Sequence, residues 1–442
     1  MIEAFNNHIK ANLSFLKNSK LLIAISGGLD SVVLTHLCHA LELDITLTHC
    51  NFKLRGKESD EDEHFVLELG ERLDLEVFVE YFDTEVYAET HKMSIQMAAR
   101  ELRYNWFFDL AENLNFDYIL TGHHADDNLE TFLINLTRGT GLNGLTGIPE
   151  INKNTVRPLL PFSREQLELY AQDHHLKWRE DSSNTSDKYL RNTLRHHVIP
   201  QLKKANSELL QNFKKTLEHL NDSADIVNES LNAVTKRAIE TIDEYRITYK
   251  ISEFKKVNNP KAYLFELFKA YGFTEWNDVV NLLDAQSGKQ VLSNTHRLIK
   301  DRTHLILTGL DHTECSRNAG EAIIPVSETD KIVETPFGVL CFDEADDVYK
   351  PSKTTLFVDR NALNFPLKLR RWQDGDVFYP SGMKGKKKLS KYFKDEKLSL
   401  LDKENVWLLT SEDNIVWIIG MRADERFIAN KNTKQILKIT LQ

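Results

Sequence analysis

The sequence contains little cysteine, and none of it is spaced to bind a metal. The chain has four cysteines, Cys38, Cys50, Cys315 and Cys341, and each stands alone. Because no two of them form a Cys-x-x-Cys pair, the sequence argues against a zinc ribbon, an iron–sulfur site and a disulfide framework. Isolated thiols suit a reducing compartment, so we expect a cytoplasmic protein.

Long apolar segments are also missing. Residues 1–15 include Glu3, Asn6, Asn7 and His8 and therefore lack the apolar centre of a signal peptide. No uninterrupted apolar run elsewhere reaches the length that crosses a bilayer. We therefore expect neither a secretion signal nor a membrane partner.

The charge of the chain is negative overall but unevenly distributed. A formal net charge of -10 over 442 residues discourages nucleic-acid binding, because phosphate contacts need clustered lysine and arginine. Residues 361–442, however, contain more Lys and Arg than Asp and Glu. The C-terminal part is therefore the one expected to carry a basic surface.

The first half of the chain alternates short apolar runs with helical patterns. The runs with the length and composition of buried strands are residues 21–25, 45–49, 76–79 and 117–121. Strands that alternate with helices in this way predict a mostly parallel α/β sheet. Residues 165–231 continue with a mainly helical pattern.

The second half predicts two smaller units. Helical patterns at 261–270 and 278–285, with a hairpin pattern at 289–307, indicate an α+β middle domain. A polar stretch at 311–321 predicts a linker, and a small mixed α/β domain with a helical signal at 388–397 follows it. The β-like runs of that domain are residues 356–358, 367–371, 406–410 and 415–419. The expected domains are residues 1–215, 216–311 and 322–442.

One six-residue motif lies between the first predicted strand and the helix that follows it. It consists of Ser26, Gly27, Gly28, Leu29, Asp30 and Ser31. Two adjacent glycines let the backbone approach an anion, and the helix N-terminus adds partial positive charge. The two serine hydroxyls can donate hydrogen bonds to the same anion. Asp30 would repel bare phosphate, so its presence predicts a bridging Mg²⁺.

The motif is not a Walker-type loop, because Gly-x-x-x-x-Gly-Lys-Ser/Thr occurs nowhere in the chain. Ser-Gly-Gly-x-Asp-Ser resembles the PP-loop of the ATP pyrophosphatase superfamily. This resemblance implies an adenine nucleotide alpha hydrolase-like domain that splits ATP between its α and β phosphates. An ordinary glycine-rich turn between strand and helix is the alternative.

Two arginines lie on the pattern of a later helix. Arg100 and Arg103 are three residues apart and therefore share one helix face. Their guanidiniums can grip phosphate oxygens there. The alternative is a solvated helix face on which they pair with Glu101 or Asp109.

A cluster of carboxylates and imidazoles follows the strand predicted at 117–121. Its members are His123, His124, Asp126, Asp127 and Glu130. Open α/β sheets bind ligands at the C-terminal edge of their strands, where this cluster is expected. The carboxylates can bind Mg²⁺ or a cationic amine, and either histidine can move a proton. A zinc site and a helix start with an acidic first turn are the alternatives.

A glycine-rich loop comes next in the sequence. Arg138, Gly139 and Gly141 open this loop, and no helix can continue through it. Backbone of this composition can fold tightly around a ligand. Arg138 can reach a phosphate from the helix end, or it can simply favour the helix C-terminus.

These motifs together resemble the N-terminal catalytic domain of the tRNA(Ile)-lysidine synthetases. The resemblance covers about the first 200 residues and also includes residues 157–160, residues 180–184, Tyr189, Arg191, Asn192 and Arg195. Residues 369–376, 387–393 and 420–427 are similar to that family's C-terminal domain. One departure is Phe52–Lys53, where relatives often have His-Gly or His-Lys. Nearby, His49 and Arg55 are therefore expected as tRNA or adenine contacts and not as catalytic groups.

The resemblance implies a reaction in two steps. The C2 oxygen of the wobble cytidine, in a tRNA(Ile) with a CAU anticodon, attacks the α phosphorus of ATP, and pyrophosphate leaves. The ε-amine of free L-lysine then attacks C2 and AMP departs. The product is lysidine, which changes the codon that is read from AUG to AUA. The resemblance also allows a homodimer.

The resemblance further implies roles for individual residues. Catalysis is expected from Asp30, Arg100, Arg103, His124, Asp127 and Glu130, with Mg²⁺ on Asp30, and lysine or metal binding from Asp126, Asp127 and Glu130. Loop and phosphate contacts are expected from His123, Arg138, Gly139 and Gly141. Contacts to tRNA are expected from Arg191, Arg195, Arg370, Arg371, Lys384, Lys386, Lys387, Lys388 and Lys391, and the middle and C-terminal domains are expected to bind tRNA. A solvated charged surface is the alternative for the lysines.

Three other functions stay open at this point. A tRNA thiolase of the same superfamily would share the loop, but its common members carry persulfide or iron–sulfur cysteines. An amidotransferase-type ligase would share it too, but normally needs a glutaminase partner. A non-catalytic RNA-binding protein would have no use for Asp30 and the cluster at 123–130.

Overall fold

The computed structural model describes residues 1–180, 190–310, 323–349, 352–383 and 385–442. The predicted linker at 311–321, the segment 181–184, Tyr189, Cys315 and Lys384 lie outside these described residues. The chain divides into two compact units, an N-terminal unit, Met1–Val227, and a C-terminal unit, Asn228–Gln442. In the described ranges, no helix combines the length and the apolar character that crossing a membrane requires. The division into three domains stays a prediction.

The N-terminal unit alternates strands and helices. Its strands are β1 (Leu21–Ala24), β2 (Ile45–Asn51), β3 (Val77–Tyr81), β4 (Tyr118–Leu120), β5 (Ile151–Asn152) and β6 (Thr155–Val156). Its helices are α1 (Ile2–Asn12), α2 (Leu29–Ala40), α3 (Lys57–Leu73), α4 (Thr84–Thr90), α5 (Ile95–Asn113), α6 (Ala125–Thr137), α7 (Leu142–Leu145), α8 (Arg164–Asp173), α9 (Leu190–Thr193) and α10 (Ile199–Ala205). A long helix, α11 (Leu209–Ala238), begins in this unit and ends in the next.

The six strands form one sheet in the order β3-β2-β1-β4-β6-β5. Strand β1 pairs in parallel with both β2 and β4, and only β5 runs antiparallel to its neighbour. This arrangement confirms the mostly parallel α/β class. The strand order reverses between β1 and β4, and at such a point the loops after the two strands part and leave a crevice.

The apolar run at 21–25 forms a strand because both of its sides are buried. Leu21 and Ile23 pack into one core with α1, α2 and α8, whereas Leu22 packs on the opposite face against Phe107 of α5. A strand covered by helices on both faces needs a continuous apolar run and not an alternating one. The predicted positions of β2, β3 and β4 likewise agree with the structure to within a few residues.

The C-terminal unit consists mainly of antiparallel strands. Its strands are β7 (Ile239–Ile242), β8 (Arg246–Lys250), β9 (Gln290–Leu292), β10 (His296–Asp301), β11 (His304–Gly309), β12 (Ile324–Val326), β13 (Ile332–Thr335), β14 (Gly338–Ala345), β15 (Thr355–Asp359), β16 (Leu367–Arg371), β17 (Val377–Phe378), β18 (Lys387–Lys388), β19 (Trp407–Ser411), β20 (Asn414–Ile418) and β21 (Ile436–Leu441). Its described helices are α12 (Ile251–Lys255), α13 (Pro260–Phe268), α14 (Trp276–Asn281), α15 (Leu389–Asp395) and α16 (Leu400–Glu404).

These strands form three larger sheets, in the orders β7-β8-β11-β10-β9, β12-β16-β19-β20 and β13-β14-β21-β15, and β17 pairs with β18. The predicted hairpin is the β10–β11 pair, which turns at Arg302 with a positive φ of 47°. The helix predicted at 278–285 begins earlier, at Trp276, and ends at Asn281. Leu282 and Leu283 leave the helix but stay buried in the same core, so their apolar pattern extended the prediction too far.

Helix α16 packs against the β10–β11 hairpin. Leu401 joins Ile299 and Ile306 in one buried cluster. Beside it, the guanidinium of Arg297 donates to both carboxylate oxygens of Glu404, at 3.2 and 2.7 Å. The Arg297 side chain is 2% exposed, and the Glu404 side chain is 38% exposed. An arginine buried to this degree depends on its partner, because an unpaired charge in the interior is costly.

We expect Glu404→Gln to destabilise the C-terminal unit by about 2 kcal/mol, less than for a fully enclosed pair because Glu404 is partly exposed. The measurement is the midpoint of denaturant unfolding of that unit. The control is Glu344→Gln, since Glu344 pairs with Arg360 but is 83% exposed. Its loss should cost less than about 1 kcal/mol. Equal shifts for the two variants would contradict the role of Arg297.

Candidate functional site

The glycine motif forms the connection between β1 and α2. Ser26 and Ser31 tie this loop to itself: the Ser31 hydroxyl donates to the Gly28 carbonyl at 2.9 Å and accepts from the Ser26 N–H at 3.2 Å. Gly27 has a φ of +83°, and a Cβ there would stand 3.3 Å from the ring of Phe65. The loop therefore needs glycine at this position for its conformation and for space.

The end of β4 lies directly against the start of α2. A Cβ on Gly122 would stand only 3.0 to 3.1 Å from backbone atoms of Asp30 and Ser31. Because backbone cannot move aside as a flexible side chain can, this contact requires glycine. It also brings residues 123–127 next to the phosphate loop, although Gly122 was not among the predicted site residues.

A cavity of about 730 Å³ opens at this edge of the sheet. Its described lining includes these predicted residues: Ser26, Gly28, Asp30, Ser31, His49, Arg55, Arg100, Arg103, His123, Asp127 and Arg191. Other predicted residues lie outside that lining: Gly27, Leu29, His124, Asp126, Glu130, Arg138, Gly139, Gly141 and Arg195. The structure thus separates neighbours in sequence into residues that line the cavity and residues that do not.

His124 lies behind the cavity and is completely buried. Its Nε2 is 3.6 Å from Asp30 Oδ1 and 3.4 Å from Asp127 Oδ2, and its Nδ1 is 3.8 Å from Asp126 Oδ2. Burial alone would lower the pKa of His124, but the contact with Asp30 and the negative charges of Asp127 and Asp126 outweigh it and raise that pKa. The position suits an imidazolium that offsets part of the negative charge of three carboxylates.

His123 points the other way and lines the cavity. Its Nδ1 is 3.0 Å from the Thr121 hydroxyl. Burial lowers the pKa of His123 to about 4, because the opposing charge of Asp127 is countered by Arg157, Arg191 and Arg100. This imidazole is therefore neutral at pH 7, in contrast to its neighbour.

Asp127 and Glu130 are held by the two arginines that the sequence assigned to tRNA. Arg195 donates from Nε to Glu130 at 2.6 Å and from Nη2 to Asp127 at 3.0 Å. Arg191 donates from Nε to the second Glu130 oxygen at 2.7 Å. Glu130 is 1% exposed, so its carboxylate is fully engaged. Burial would raise the pKa of Asp127, but His124, His123 and Arg191 lower it.

Asp126 is held by a residue that the sequence did not point to. Lys203 Nζ lies 2.7 Å from Asp126 Oδ1, and the backbone N–H of Arg164 donates to Oδ2 at 2.9 Å. Burial would lower the pKa of Lys203, but its bond to Asp126 raises it. The only sequence signal for Lys203 was a lysine in the last turn of a helix, which is common.

Arg100 and Arg103 are exposed on α5 and face the cavity. The Arg103 guanidinium lies 5.1 Å above the Phe52 ring, and that of Arg100 lies 4.9 Å above the Tyr104 ring. Glu101, the suggested partner, instead accepts from the Tyr87 hydroxyl at 3.1 Å. Within the described ranges neither arginine has an ion pair with a carboxylate, so both remain available to an anion.

Arg138, Gly139 and Gly141 follow the end of α6 at Thr137. Gly139 has a φ of +73°, which ends the helix, and a Cβ on either glycine would meet no atom within 4 Å. All three residues are exposed. Their predicted role in binding phosphate stays a prediction.

The predicted cations of the C-terminal unit fall into two groups, those with a partner inside the unit and those that are exposed. Arg370 donates to both oxygens of Asp376, at 2.8 and 2.9 Å. The Arg371 guanidinium lies over the Trp407 ring, and Lys387 pairs with Asp395 at 2.8 Å. Lys386, Lys388 and Lys391 are exposed.

The buried charge of His124 predicts a pH dependence of stability. Because its pKa in the folded protein is raised above the usual 6.5, its contribution is fully present below pH 6.5 and is lost as pH rises through the folded pKa. The difference in melting temperature between the wild type and His124→Gln should therefore shrink as pH rises above 6.5. The exposed His64→Gln is the control. A difference that grows with pH would contradict the charged state.

Three segments of the chain match known families. Residues 1–202 match the PP-loop domain, residues 242–310 the TilS substrate binding domain, and residues 367–440 the TilS substrate C-terminal domain.

The chain is also similar to named proteins over its whole length. It is 38% identical over 439 residues to the tRNA(Ile)-lysidine synthase of Parabacteroides distasonis, with 99% of both chains covered. It is 38% identical over 433 residues to that of Bacteroides thetaiotaomicron, with 97% of both covered. Among solved structures, the U34-tRNA thiolase NcsA from Methanococcus maripaludis is 20% identical with a TM-score of 0.41, over 49% of this chain and 79% of that one. The resemblance found in the sequence is thus confirmed, and the chain belongs to the tRNA(Ile)-lysidine synthase family.

Proposed function

We propose that this protein ligates free L-lysine to C2 of the wobble cytidine in a tRNA(Ile) with a CAU anticodon, at the expense of ATP. The product is lysidine, and the codon read changes from AUG to AUA. The observation that carries the proposal is one cavity in which the phosphate loop and Asp30 share the lining with two arginines, Arg100 and Arg103. The name of the relatives, tRNA(Ile)-lysidine synthase, supports tRNA(Ile) as the substrate and lysidine as the product.

In the first step, the cytidine O2 attacks the α phosphorus of ATP, and the bond to pyrophosphate breaks. Negative charge builds up on the departing pyrophosphate. Backbone N–H groups at the start of α2 and the guanidiniums of Arg100 and Arg103 are placed to stabilise it. The adenylated oxygen then becomes a leaving group, which makes C2 open to attack.

Asp30 fits the Mg²⁺ that ATP chemistry of this kind uses. Its Oδ1 is buried and has no hydrogen-bond partner in the described chain, and a carboxylate oxygen is a ligand that Mg²⁺ prefers. The described residues include no group of three or more acidic, His or Cys side chains that could hold a metal. A bound ion would therefore take its other ligands from phosphates and water, and would offset the repulsion between Asp30 and ATP.

In the second step, the lysine ε-amine attacks C2, the C2–O bond breaks and AMP departs. The amine must first lose a proton, since its ordinary pKa is near ~10.4. We assign Asp127, the acidic side chain of the cluster that faces the cavity, to holding the ammonium. His123, which is neutral and also faces the cavity, is the group placed to accept a hydrogen bond from the amine. His124 and Glu130 act from behind through their charge.

Two of the four cysteines, Cys38 and Cys50, favour this proposal over a thiolase. Cys38 is fully buried, and burial raises the pKa of its thiol. Burial likewise raises the pKa of Cys50 to about 12. Neither thiol forms the thiolate that sulfur transfer requires at neutral pH.

Cytoplasmic location, a homodimer and tRNA binding by the middle domain stay predictions.

The exposed lysines Lys386, Lys388 and Lys391 form the part of the predicted basic surface that is open to tRNA phosphates. RNA helices are recognised largely through shape and backbone, which suits such a group. Arg370 and Lys387 carry the same charge but form ion pairs with Asp376 and Asp395.

We expect Asp30→Asn to lower the rate of AMP formation by at least about 100-fold while tRNA still binds, because charge placement at the phosphates is lost. The assay supplies ATP, labelled lysine and tRNA(Ile), and a nucleoside digest detects lysidine. Asp109→Asn, on the exposed side of α5, is the control. Undiminished turnover in Asp30→Asn would overturn the assignment.

We expect the combined change of Lys386, Lys388 and Lys391 to alanine to weaken tRNA binding and to flatten its salt dependence by about one unit for each lost phosphate contact. The double variant Lys387→Ala/Asp395→Ala removes an ion pair without altering net charge, and should change binding little. If both variants bind tRNA as the wild type does, the lysines only solvate the surface.

A further inference from the structure

Asp62 of α3 lies in the cavity wall, is 7% exposed, and has no role in the chemistry above. Its carboxylate accepts from two arginines. Arg55 Nη2 donates to Oδ2 at 2.8 Å, and Arg179 Nε donates to Oδ1 at 3.0 Å. Both arginines are partly exposed, with side chains 31% and 36% accessible. A buried carboxylate between two guanidiniums is a strong local tie, because the bonds are charge-assisted.

Each arginine connects Asp62 to a different wall of the cavity. The backbone N–H of Arg179 donates to the Gly27 carbonyl at 2.9 Å, and Arg179 Cγ stands 3.6 Å from where a Cβ on Gly27 would lie. Arg55 belongs to the loop after β2, and its own N–H donates to Ser59 of α3 at 3.3 Å. One carboxylate therefore links α3 to the phosphate loop and to the loop after β2.

The hydrogen bond from Arg179 to Gly27 adds to the hydrogen bonds that the loop forms within itself. The bonds of Ser26 and Ser31 mainly join the loop to its own helix start, and among them only a long bond, from the Gly28 N–H to the Ser26 hydroxyl at 3.4 Å, reaches the peptide between Gly27 and Gly28. The bond from Arg179 holds the carbonyl of Gly27 from outside. Fixing that carbonyl also fixes the plane of its peptide group, which includes the Gly28 N–H.

We propose that Asp62 is a positioning residue that holds Arg179, and through it the phosphate loop, in the shape that receives the triphosphate of ATP. The inference rests on the proposed function, in which residues 26–31 bind ATP. Asp62 itself touches no reacting atom.

Charge and position predict opposite effects when Asp62 is neutralised. Asp62 is an anion in the wall of a cavity that binds an anionic nucleotide. If it acted only through its charge, Asp62→Asn would remove repulsion and strengthen ATP binding. If it positions the loop, the same isosteric change weakens ATP binding, because Arg55 and Arg179 bond to different oxygens of Asp62 and asparagine replaces one of these oxygens with an NH2 donor.

The test is the dissociation constant of ATP for the full-length protein, together with KM and kcat for lysidine formation. We expect Asp62→Asn to weaken ATP binding and to raise KM for ATP by about tenfold or more, as misplacement of a binding group does, with kcat at saturating ATP little changed. Glu61→Gln is the matched control. Glu61 also pairs with Arg179, at 2.8 Å, but its side chain is 62% exposed and it contributes nothing to the described cavity lining.

A second variant keeps the test decisive if Asp62→Asn folds poorly. Arg179→Lys retains the backbone bond to Gly27 and the positive charge but loses the planar fork, and should weaken ATP binding in the same direction. The double variant Asp62→Asn/Arg179→Lys should bind ATP no more weakly than the single variant with the lower ATP affinity, because both changes break the same connection. Unchanged or tighter ATP binding in Asp62→Asn, or additive losses in the double variant, would overturn the proposal. A wild type that binds no ATP would instead overturn the proposed function.

Discussion

Strand β4 meets the first turn of α2 so closely that position 122 has room only for glycine. This contact places the histidines and carboxylates that follow β4 beside the phosphate loop that follows β1. The parallel sheet supplies the geometry, because β1 and β4 are neighbours with opposite onward connections. A nucleotide held at the start of α2 and an amine held at the start of α6 would therefore share one cavity.

Charge around that cavity is arranged in two layers. In the first layer, which reaches the cavity lining at Asp127 and Arg191, the acidic side chains of α6 are matched by His124, Arg191, Arg195 and Lys203. The buried groups His124, Asp127 and Glu130 depend on these partners, since an unpaired charge in the interior is costly. In front, Arg100 and Arg103 rest on aromatic rings without a carboxylate among the described residues. The first layer holds the walls in place, and the second has the open guanidiniums that the proposed phosphate contacts require.

The same distinction separates the cations of the C-terminal unit. Arg370 and Lys387 satisfy carboxylates of their own unit, whereas Lys386, Lys388 and Lys391 extend into solvent. Cations that are adjacent in sequence thus differ in whether they pair with a carboxylate of the unit or extend into solvent. Counting lysines and arginines locates a basic segment, but only their partners decide which charges remain to attract an RNA backbone.

The sequence by itself determined the parallel α/β class and the position of the phosphate loop, because both depend on local patterns. A strand buried on two faces needs a continuous apolar run, and the loop after β1 needs glycine at position 27, where φ is +83° and a Cβ would crowd the Phe65 ring. Only the tertiary structure decided that His123 faces the cavity while His124 is enclosed, and that Arg191 holds Glu130. Those outcomes depend on partners distant along the chain, such as Arg191 and Glu130, which are 61 positions apart. No local pattern records which charges meet in space.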